Sequence, residues 1–202
     1  MTQQFTLSAI PAPLSWRNLP EEWSSNGHTQ LSIRAGKLTD LFIDPAGAVN
    51  IDNVPVALFS PPDASFLLSA KVKVEFAATF DAGVLQLRVD QERWAKLCFE
   101  FSPQRQPTIV SVVNRGVSDD CNSVAIGGNE VYLRIAHTPK ATAFHYSLDN
   151  QFWHLVRYFS LGEATTVQAG FSSQSPTGDG CLAILSEIRY VAGVLKDLRS
   201  GE

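Results

Sequence analysis

The sequence has few cysteines, and their number and spacing exclude two classes of protein. Cys98, Cys121 and Cys181 are odd in number and widely spaced, which does not suit a disulfide framework. The sequence has neither a C-x-x-C pair nor a Cys/His cluster, so it predicts no zinc site. Because free thiols are typical of a reducing compartment, we expect a cytoplasmic protein.

Long apolar runs and basic runs are also absent. No stretch approaches eighteen consecutive apolar residues, and the first sixteen residues lack the basic region and apolar core of a secretory signal. The net charge is −4 at pH 7, and the sixteen lysines and arginines are scattered. Since nucleic-acid binders usually carry a basic patch, we expect neither a nucleic-acid partner nor a membrane span.

Motifs that name a reaction or a cofactor are missing as well. There is no Gly-x-Ser-x-Gly elbow and no phosphate-binding loop, and the GGNE stretch at residues 127–130 is typical of a hairpin turn. The sequence therefore predicts no cofactor.

The clearest pattern that is present is a hairpin over residues 81–101, with a tight turn at residues 90–93. In its two strands Leu85 and Leu87 alternate with Gln86, and Leu97 alternates with Lys96. Successive side chains of a strand point to opposite faces. The pattern therefore predicts one apolar face for a core and one polar face for a site.

Further short strands follow the same alternation. We predict them at residues 5–7, 31–36, 56–59, 66–80, 108–113, 131–136, 143–148, 153–159, 166–171 and 181–190. Helical periodicity is limited to a fragment at residues 194–199. Without β-α-β alternation, this many strands predict an all-β sandwich of two antiparallel sheets, and no linker divides residues 1–202 into more than one domain.

Two segments remain less regular. The N-terminal chain is broken by prolines, and we expect Trp16 and Trp23 to cap the core there. Residues 38–59 read as an excursion rich in loops. Asp40 and Asp44 in this excursion are either calcium ligands or turn formers, and the absence of EF-hand spacing favours turns and no metal.

Five segments carry a family resemblance: TDLFIDP at 39–45, FDAGVLQLRVDQERWAKLCFE at 80–100, VVNRGVSDD at 112–120, YSLDNQFWHLVRYF at 146–159 and GFSSQSPTGDG at 170–180. In these the chain resembles the regulation-of-enolase-like family of concanavalin A-like jelly-roll domains, which belongs to the lectin/glucanase superfamily and also occurs attached to some glycoside hydrolases. The chain departs from the family at Asp120, where an aromatic residue is usual, and at Asn150, where glycine is usual.

The resemblance implies a jelly-roll sandwich with a concave sheet, the face that holds sugars in related lectins. By strand parity we predict a ligand-binding groove on that face, formed by Arg88, Trp94, Lys96, Glu100, Asp119, Tyr132, Arg134 and His145. An exposed Trp94 would stack on a sugar ring, and the arginines would donate to hydroxyls or a carboxylate. The alternative is a solvated network in which Lys96 and Glu100 neutralise the two arginines.

Three functions follow from these observations. The first is a non-catalytic domain that binds a carbohydrate or a similar polar small molecule. The second, which the family name implies, is a regulatory domain whose partner is a metabolic enzyme. The third, a glycoside hydrolase, is less favoured because the Glu-x-Asp-x-(x)-Glu pattern of the superfamily's glucanases is absent: Cys98 and Ser102 flank Glu100 at i±2.

Overall fold

Strands make up the regular structure of the protein. The computed structural model describes residues 3–164 and 166–202, and no helix occurs in these residues. Accordingly, the described chain has no helix with the length and apolarity needed to span a membrane. The predicted helical fragment at 194–199 is wrong, because Asp197 organises this segment as turns: its Oδ1 accepts from the Arg199 N–H, and its carbonyl accepts from the Gly201 N–H.

Two large antiparallel sheets contain most of the strands. The eight-stranded sheet has the order β1 (Gln4–Phe5), β2 (Leu14–Arg17), β7 (Val56–Phe59), β16 (Gln168–Gln174), β9 (Ala82–Arg88), β10 (Arg93–Phe101), β11 (Pro107–Arg115) and β12 (Val117–Ala125). The seven-stranded sheet has the order β15 (His154–Phe159), β14 (Thr142–Ser147), β13 (Glu130–His137), β8 (Phe66–Glu75), β17 (Gly180–Ala192), β4 (Leu31–Gly36) and β3 (Glu22–Ser25). A separate pair consists of β5 (Leu41–Ile43) and β6 (Asn50–Asp52). The predicted all-β jelly-roll sandwich is confirmed.

The core lies between the two large sheets. Leu85, Leu87, Leu97 and Phe99 are fully buried in it, as the alternation of the hairpin predicts. The sheets approach so closely at Gly83 that a Cβ there would lie 2.5 Å from Val72 Cγ1. The inward face of the hairpin is therefore half of the sandwich core.

The tryptophans of the N-terminal segment close one end of this core, as predicted. Trp16 is buried, and Trp23 packs against the core from a half-buried position. Phe5 packs against both rings, with ring centroids 5.6 Å from Trp16 and 4.5 Å from Trp23. These aromatic contacts fix a proline-rich segment that forms only short strands.

Two elements differ from the prediction, and both position the site. The polar segment VSDDCNSVA, where the alternation predicts no strand, is the edge strand β12, which pairs with β11 through its backbone. Residues 40–54 contain the β5–β6 pair, and we call this whole segment, residues 40–54, the covering hairpin. Leu41 and Val54 of this hairpin pack on Trp94 and Val112 of the eight-stranded sheet, on the side away from the core.

Candidate functional site

Four of the predicted site residues share the outer face of the eight-stranded sheet. Arg88 pairs in register with Trp94, and Gln86 pairs with Lys96; directly opposed residues of an antiparallel pair lie on the same face. Their chain neighbours point into the core. Glu100 completes the set, because it follows Lys96 on β10 by an even number of residues and so lies on the same face. The structure brings Arg88, Trp94, Lys96 and Glu100 onto one surface.

Trp94 does not project into solvent on this surface. Its side chain is fully buried beneath Leu41 and Val54 of the covering hairpin, beside Val112. The expectation of an exposed ring for sugar stacking is therefore wrong. The physical reason is a tertiary contact, because the segment that covers Trp94 lies about fifty residues earlier in the chain and reads as a loop.

Lys96 joins the sheet to the covering hairpin. Its Nζ donates to Asp40 Oδ1 at 3.2 Å and to Gln174 Oε1 at 3.0 Å. Burial lowers the Lys96 pKa, but neighbouring acidic groups, above all Asp40, raise it, and the net pKa lies above the usual lysine value. Lys96 is therefore a charged group in a nearly buried position.

Glu100 lies close to this charge. Burial raises the pKa of its carboxyl to about 8, while Lys96 lowers it and Asp120 and Asp40 raise it further. At neutral pH the carboxyl is mostly protonated, so it can donate as well as accept a hydrogen bond. The acidic companions that Glu100 lacks within its own strand come from the covering hairpin and from β12.

Asp120, not Asp119, is the β12 acid on the outer face. Asp120 pairs in register with Val112, the partner of Lys96, whereas Asp119 pairs with Val113 of the core side. Burial raises the Asp120 pKa, although the residue lies at the exposed edge of the sheet. Parity along VSDD would have distinguished the two acids if the segment had been recognised as a strand.

Asp119 instead connects the edges of the two large sheets. Its Oδ2 lies 2.7 Å from Arg157 Nη2, and its carbonyl accepts from Arg157 Nη1 at 3.1 Å. Arg157 belongs to β15 of the seven-stranded sheet. The expectation that Asp119 lines the same groove as Lys96 is wrong, because successive residues of β12 point to opposite faces.

Tyr132, Arg134 and His145 also lie elsewhere, on the seven-stranded sheet. Tyr132 Oη donates to Glu187, and Arg134 Nη2 donates to the Gly201 carbonyl at 2.8 Å. His145 Nε2 donates to a carbonyl in the same 194–202 segment, and burial lowers its pKa to about 4. One groove holding all eight predicted residues does not exist, because parity tells which face of its own strand a residue occupies but not which sheet the strand joins.

A row of buried polar side chains lies beneath the covering hairpin. The groove predicted from the sequence contains Arg88 and Trp94 of this row. Gln86, Arg88 and Trp94 are each at most 6% exposed. No hydrogen-bond partner within the described residues meets Gln86 Oε1, Gln86 Nε2, Arg88 Nη1 or Trp94 Nε1. Unpartnered buried polar atoms are costly, so an additional hydrogen-bonding group would be most stabilising at this row.

The two aspartates considered as calcium ligands serve the backbone of the covering hairpin. Asp40 Oδ1 accepts from the Leu41 N–H, and Asp44 Oδ2 accepts from the Ala48 N–H. Within residues 3–164 and 166–202, no three His, Cys, Asp or Glu side chains are grouped as a metal site would require. Their observed contacts are those of turn-forming aspartates.

Comparison with solved structures shows the same fold in proteins of low sequence identity. A functionally unknown protein from Saccharomyces cerevisiae is 20% identical and superposes with a TM-score of 0.83, over 90% of this chain and 97% of that one. The GH43 BlXynB protein from Bacillus licheniformis is 18% identical, with a TM-score of 0.70 over 89% of this chain. This chain spans only 37% of the length of that protein. An alginate lyase from Klebsiella pneumoniae is 9% identical, with a TM-score of 0.56, over 87% of this chain and 85% of that one.

Comparison by sequence reveals one family. No curated protein matches the sequence. Residues 16–192 match the family described as "Protein of unknown function (DUF1349)". Because this match covers most of the chain, the protein belongs to the DUF1349 family.

Proposed function

We propose that residues 1–202 act as one non-catalytic binding domain, which recognises a carbohydrate or a similar polar small molecule on the outer face of the eight-stranded sheet. The observation that carries this proposal is the convergence of Lys96, Glu100 and Gln174 beside Asp40 of the covering hairpin. Together these groups offer one charged donor, an amide and a mostly neutral carboxyl. Such a mixture suits ligand hydroxyls, which both donate and accept hydrogen bonds.

The fold supports the same proposal at a coarser level. Two of the similar structures are a GH43 protein and an alginate lyase, both of which are carbohydrate-active proteins. The concanavalin A-like resemblance implies sugar binding on one sheet of the sandwich. A cytoplasmic location remains our prediction from the three cysteines, which are free thiols.

A glycan array with a matched pair of variants tests the proposal. Asp120→Ala removes an acid from the outer face, whereas Asp119→Ala removes its chain neighbour, which points to the other side. Since a hydrogen bond to a charged group contributes about 1.5–3 kcal/mol, we expect Asp120→Ala to weaken the strongest hit about tenfold or more. Asp119→Ala should leave binding unchanged. An array without specific binding contradicts the proposal, as does equal weakening by both variants.

One observation favours a second candidate, the glycoside hydrolase. The Glu100 pKa of about 8 suits a general acid at neutral pH, and Asp40 and Asp120 are the nearby carboxylates for a second role. Turnover of an aryl-glycoside panel tests this function. The hydrolase function requires that the wild-type protein turns over a substrate and that Glu100→Gln abolishes this activity. A wild-type protein without turnover excludes the hydrolase function for those substrates.

A different observation favours the regulatory domain that the regulation-of-enolase-like resemblance implies. Leu148, Phe152 and Leu155 are exposed on and around the β14–β15 connection, and clustered exposed apolar residues mark interaction surfaces. Sedimentation velocity with purified enolase tests this function. A complex that Phe152→Ser disrupts supports it, and independent sedimentation of the two proteins contradicts it for that enzyme.

A further inference from the structure

We infer that the row formed by Gln86, Arg88 and Trp94 beneath the covering hairpin is a carboxylate-binding subsite, so that the polar ligand carries an acidic group. This inference rests on the proposed binding function. It names the ligand class that the outer face of the eight-stranded sheet selects.

The register of β9 and β10 places the three side chains together. Gln86 and Arg88 are two residues apart on one face of β9, and Trp94 lies directly opposite Arg88. Opposed Cβ atoms in such a pair are about 5 Å apart, and diagonal neighbours are within reach of long side chains. The indole, guanidinium and amide groups therefore share one small area of the sheet.

The atoms without partners in this area are mainly donors. Arg88 Nη1, Trp94 Nε1 and Gln86 Nε2 each carry N–H groups that no described residue accepts. Trp94 and Gln86 are fully buried, and Arg88 is 6% exposed. Gln86 Oε1 is the one unpartnered acceptor among them. A group with several lone pairs suits a site in which donors outnumber acceptors.

The charges around the row leave an excess of positive charge, which also favours an anionic ligand. Asp52 of the covering hairpin accepts two hydrogen bonds from Arg17, and Arg88 Nη2 lies 3.9 Å from the same carboxylate. Two guanidiniums therefore share one carboxylate. Asp90, the other acid that acts on Arg88, is held by Arg93 at 2.7 Å. One positive charge is left without its own partner.

That balance favours a carboxylate over a phosphate group. A carboxylate brings a single negative charge, and its two oxygens match the fork of a guanidinium. A phosphate monoester would bring close to two negative charges beside Asp52, where only one positive charge is available. Lys96 does not alter this balance, because Asp40 neutralises it.

A cavity reaches one end of the row, at Trp94, whereas Gln86 and Arg88 do not line it. It has a volume of about 330 Å³, at the lower end of the range for ligand pockets. Asp52 and Trp94 line it, and both are neighbours of Arg88. Glu92 also lines it, but its side chain is exposed and can turn toward solvent. The acidic group of a ligand would therefore enter between the covering hairpin and the β9–β10 turn.

Titration of the ¹⁵N-labelled protein with glucuronate, glucose and glucose 6-phosphate tests the inference. The indole N–H resonance of Trp94, assigned with Trp94→Phe, reports on the row. Because one charged hydrogen bond is gained, we expect glucuronate to bind about tenfold or more tightly than glucose and to shift this resonance. Glucose 6-phosphate should bind no more tightly than glucose.

Arginine variants locate the effect. Arg88→Met should reduce the affinity for glucuronate to that for glucose, and Arg88→Lys, which keeps the charge but not the fork, should have an intermediate effect. Arg115→Met removes an exposed arginine from the same sheet and should change nothing. Thermal unfolding checks that each variant is folded. If Arg88→Met does not fold, the shift of the Trp94 resonance in the wild-type protein decides whether glucuronate binds at the row.

Each outcome separates the inference from the proposed function. If glucose binds as tightly as glucuronate, the binding function stands and the carboxylate subsite is wrong. Binding of glucuronate without a Trp94 shift, or tighter binding of glucose 6-phosphate, also overturns the inference. If none of the three probes binds, both the inference and the binding of simple sugars fall.

Discussion

Lys96 Nζ lies 3.2 Å from Asp40 Oδ1, although 56 residues separate them in the chain. This contact attaches the covering hairpin to β10 by a charge pair, in addition to the apolar contacts of Leu41 with Trp94. The hairpin is also held by the Ile43 N–H, which donates to Ser118 Oγ of β12. The covering hairpin is thus anchored to the outer face of the eight-stranded sheet through Lys96, Trp94 and Ser118.

Removal of this charge should destabilise the protein. In Lys96→Met the Asp40 carboxylate keeps its position but loses its cation, and breaking a buried pair in this way costs about 3 kcal/mol. Urea denaturation measures the loss of unfolding free energy. Lys73→Met, which removes an exposed lysine of β8, should cost under about 0.5 kcal/mol. Equal losses in the two variants would show that the Lys96 pair has no special role.

Glu100 should make the protein less stable as the pH rises. Its folded pKa of about 8 lies above the ordinary value of 4.5, so between these values the folded state holds a proton that the unfolded state has released. The contribution of Glu100 to stability is greatest below pH 4.5 and falls up to pH 8, by about 1.4 kcal/mol per pH unit at most. Glu100→Gln removes this slope, and we expect its unfolding free energy relative to wild type to increase from pH 5 to pH 8.

The comparison must be with wild type at each pH, because two histidines act in the opposite sense. Burial lowers the pKa values of His137 and His145 to about 4. Both favour unfolding as the pH falls from about 6.5 to 4. Parallel curves for wild type and Glu100→Gln would contradict the raised pKa of Glu100.

Gly201 holds the 194–202 segment against the seven-stranded sheet. A Cβ at Gly201 would lie 2.9 Å from Arg134 Nη2 and 3.0 Å from Trp153 Cβ, and its φ is +81°. We expect Gly201→Ala to weaken the docking of this segment by about 1–2 kcal/mol, which corresponds to about a 5- to 30-fold higher population of the released state. The rate of trypsin cleavage after Lys196 or Arg199, which should increase, measures this population of the released state. Ser200→Ala, an exposed neighbour, should leave the cleavage rate at that of wild type.

Gly170 should be intolerant of any side chain. A Cβ there would lie only 1.9 Å from the Ala57 carbonyl oxygen and 3.0 Å from Leu58 Cα, and backbone atoms of β7 cannot move aside as a side chain can. We expect Gly170→Ala to cost about 1–3 kcal/mol or more in urea denaturation. At Gly127 a Cβ would meet nothing within 4 Å, so Gly127→Ala is the matched control. A small effect at Gly170 would mean that β7 and β16 separate without cost.

The sequence by itself determined the properties that depend on neighbouring residues. The alternation of Leu85 and Leu87 with Gln86 and Arg88 is enough to assign a core face and an outer face, because side-chain direction in a strand repeats every two residues. For the same reason the outer-face positions of Lys96 and Glu100 were predictable. The missing helical periodicity was enough to indicate an all-β sandwich.

Only the tertiary structure decided how these faces are combined. Strand order is a long-range property, so parity could not reveal that Arg134 and His145 lie on the other sheet. Nor could it reveal that β12, which lacks apolar alternation, is held as a strand by the backbone of β11 and presents Asp120 instead of Asp119. The burial of Trp94 depends on Leu41 and Val54, far away in the chain. Contacts between distant segments thus turned an expected stacking platform into a buried ring beneath the covering hairpin.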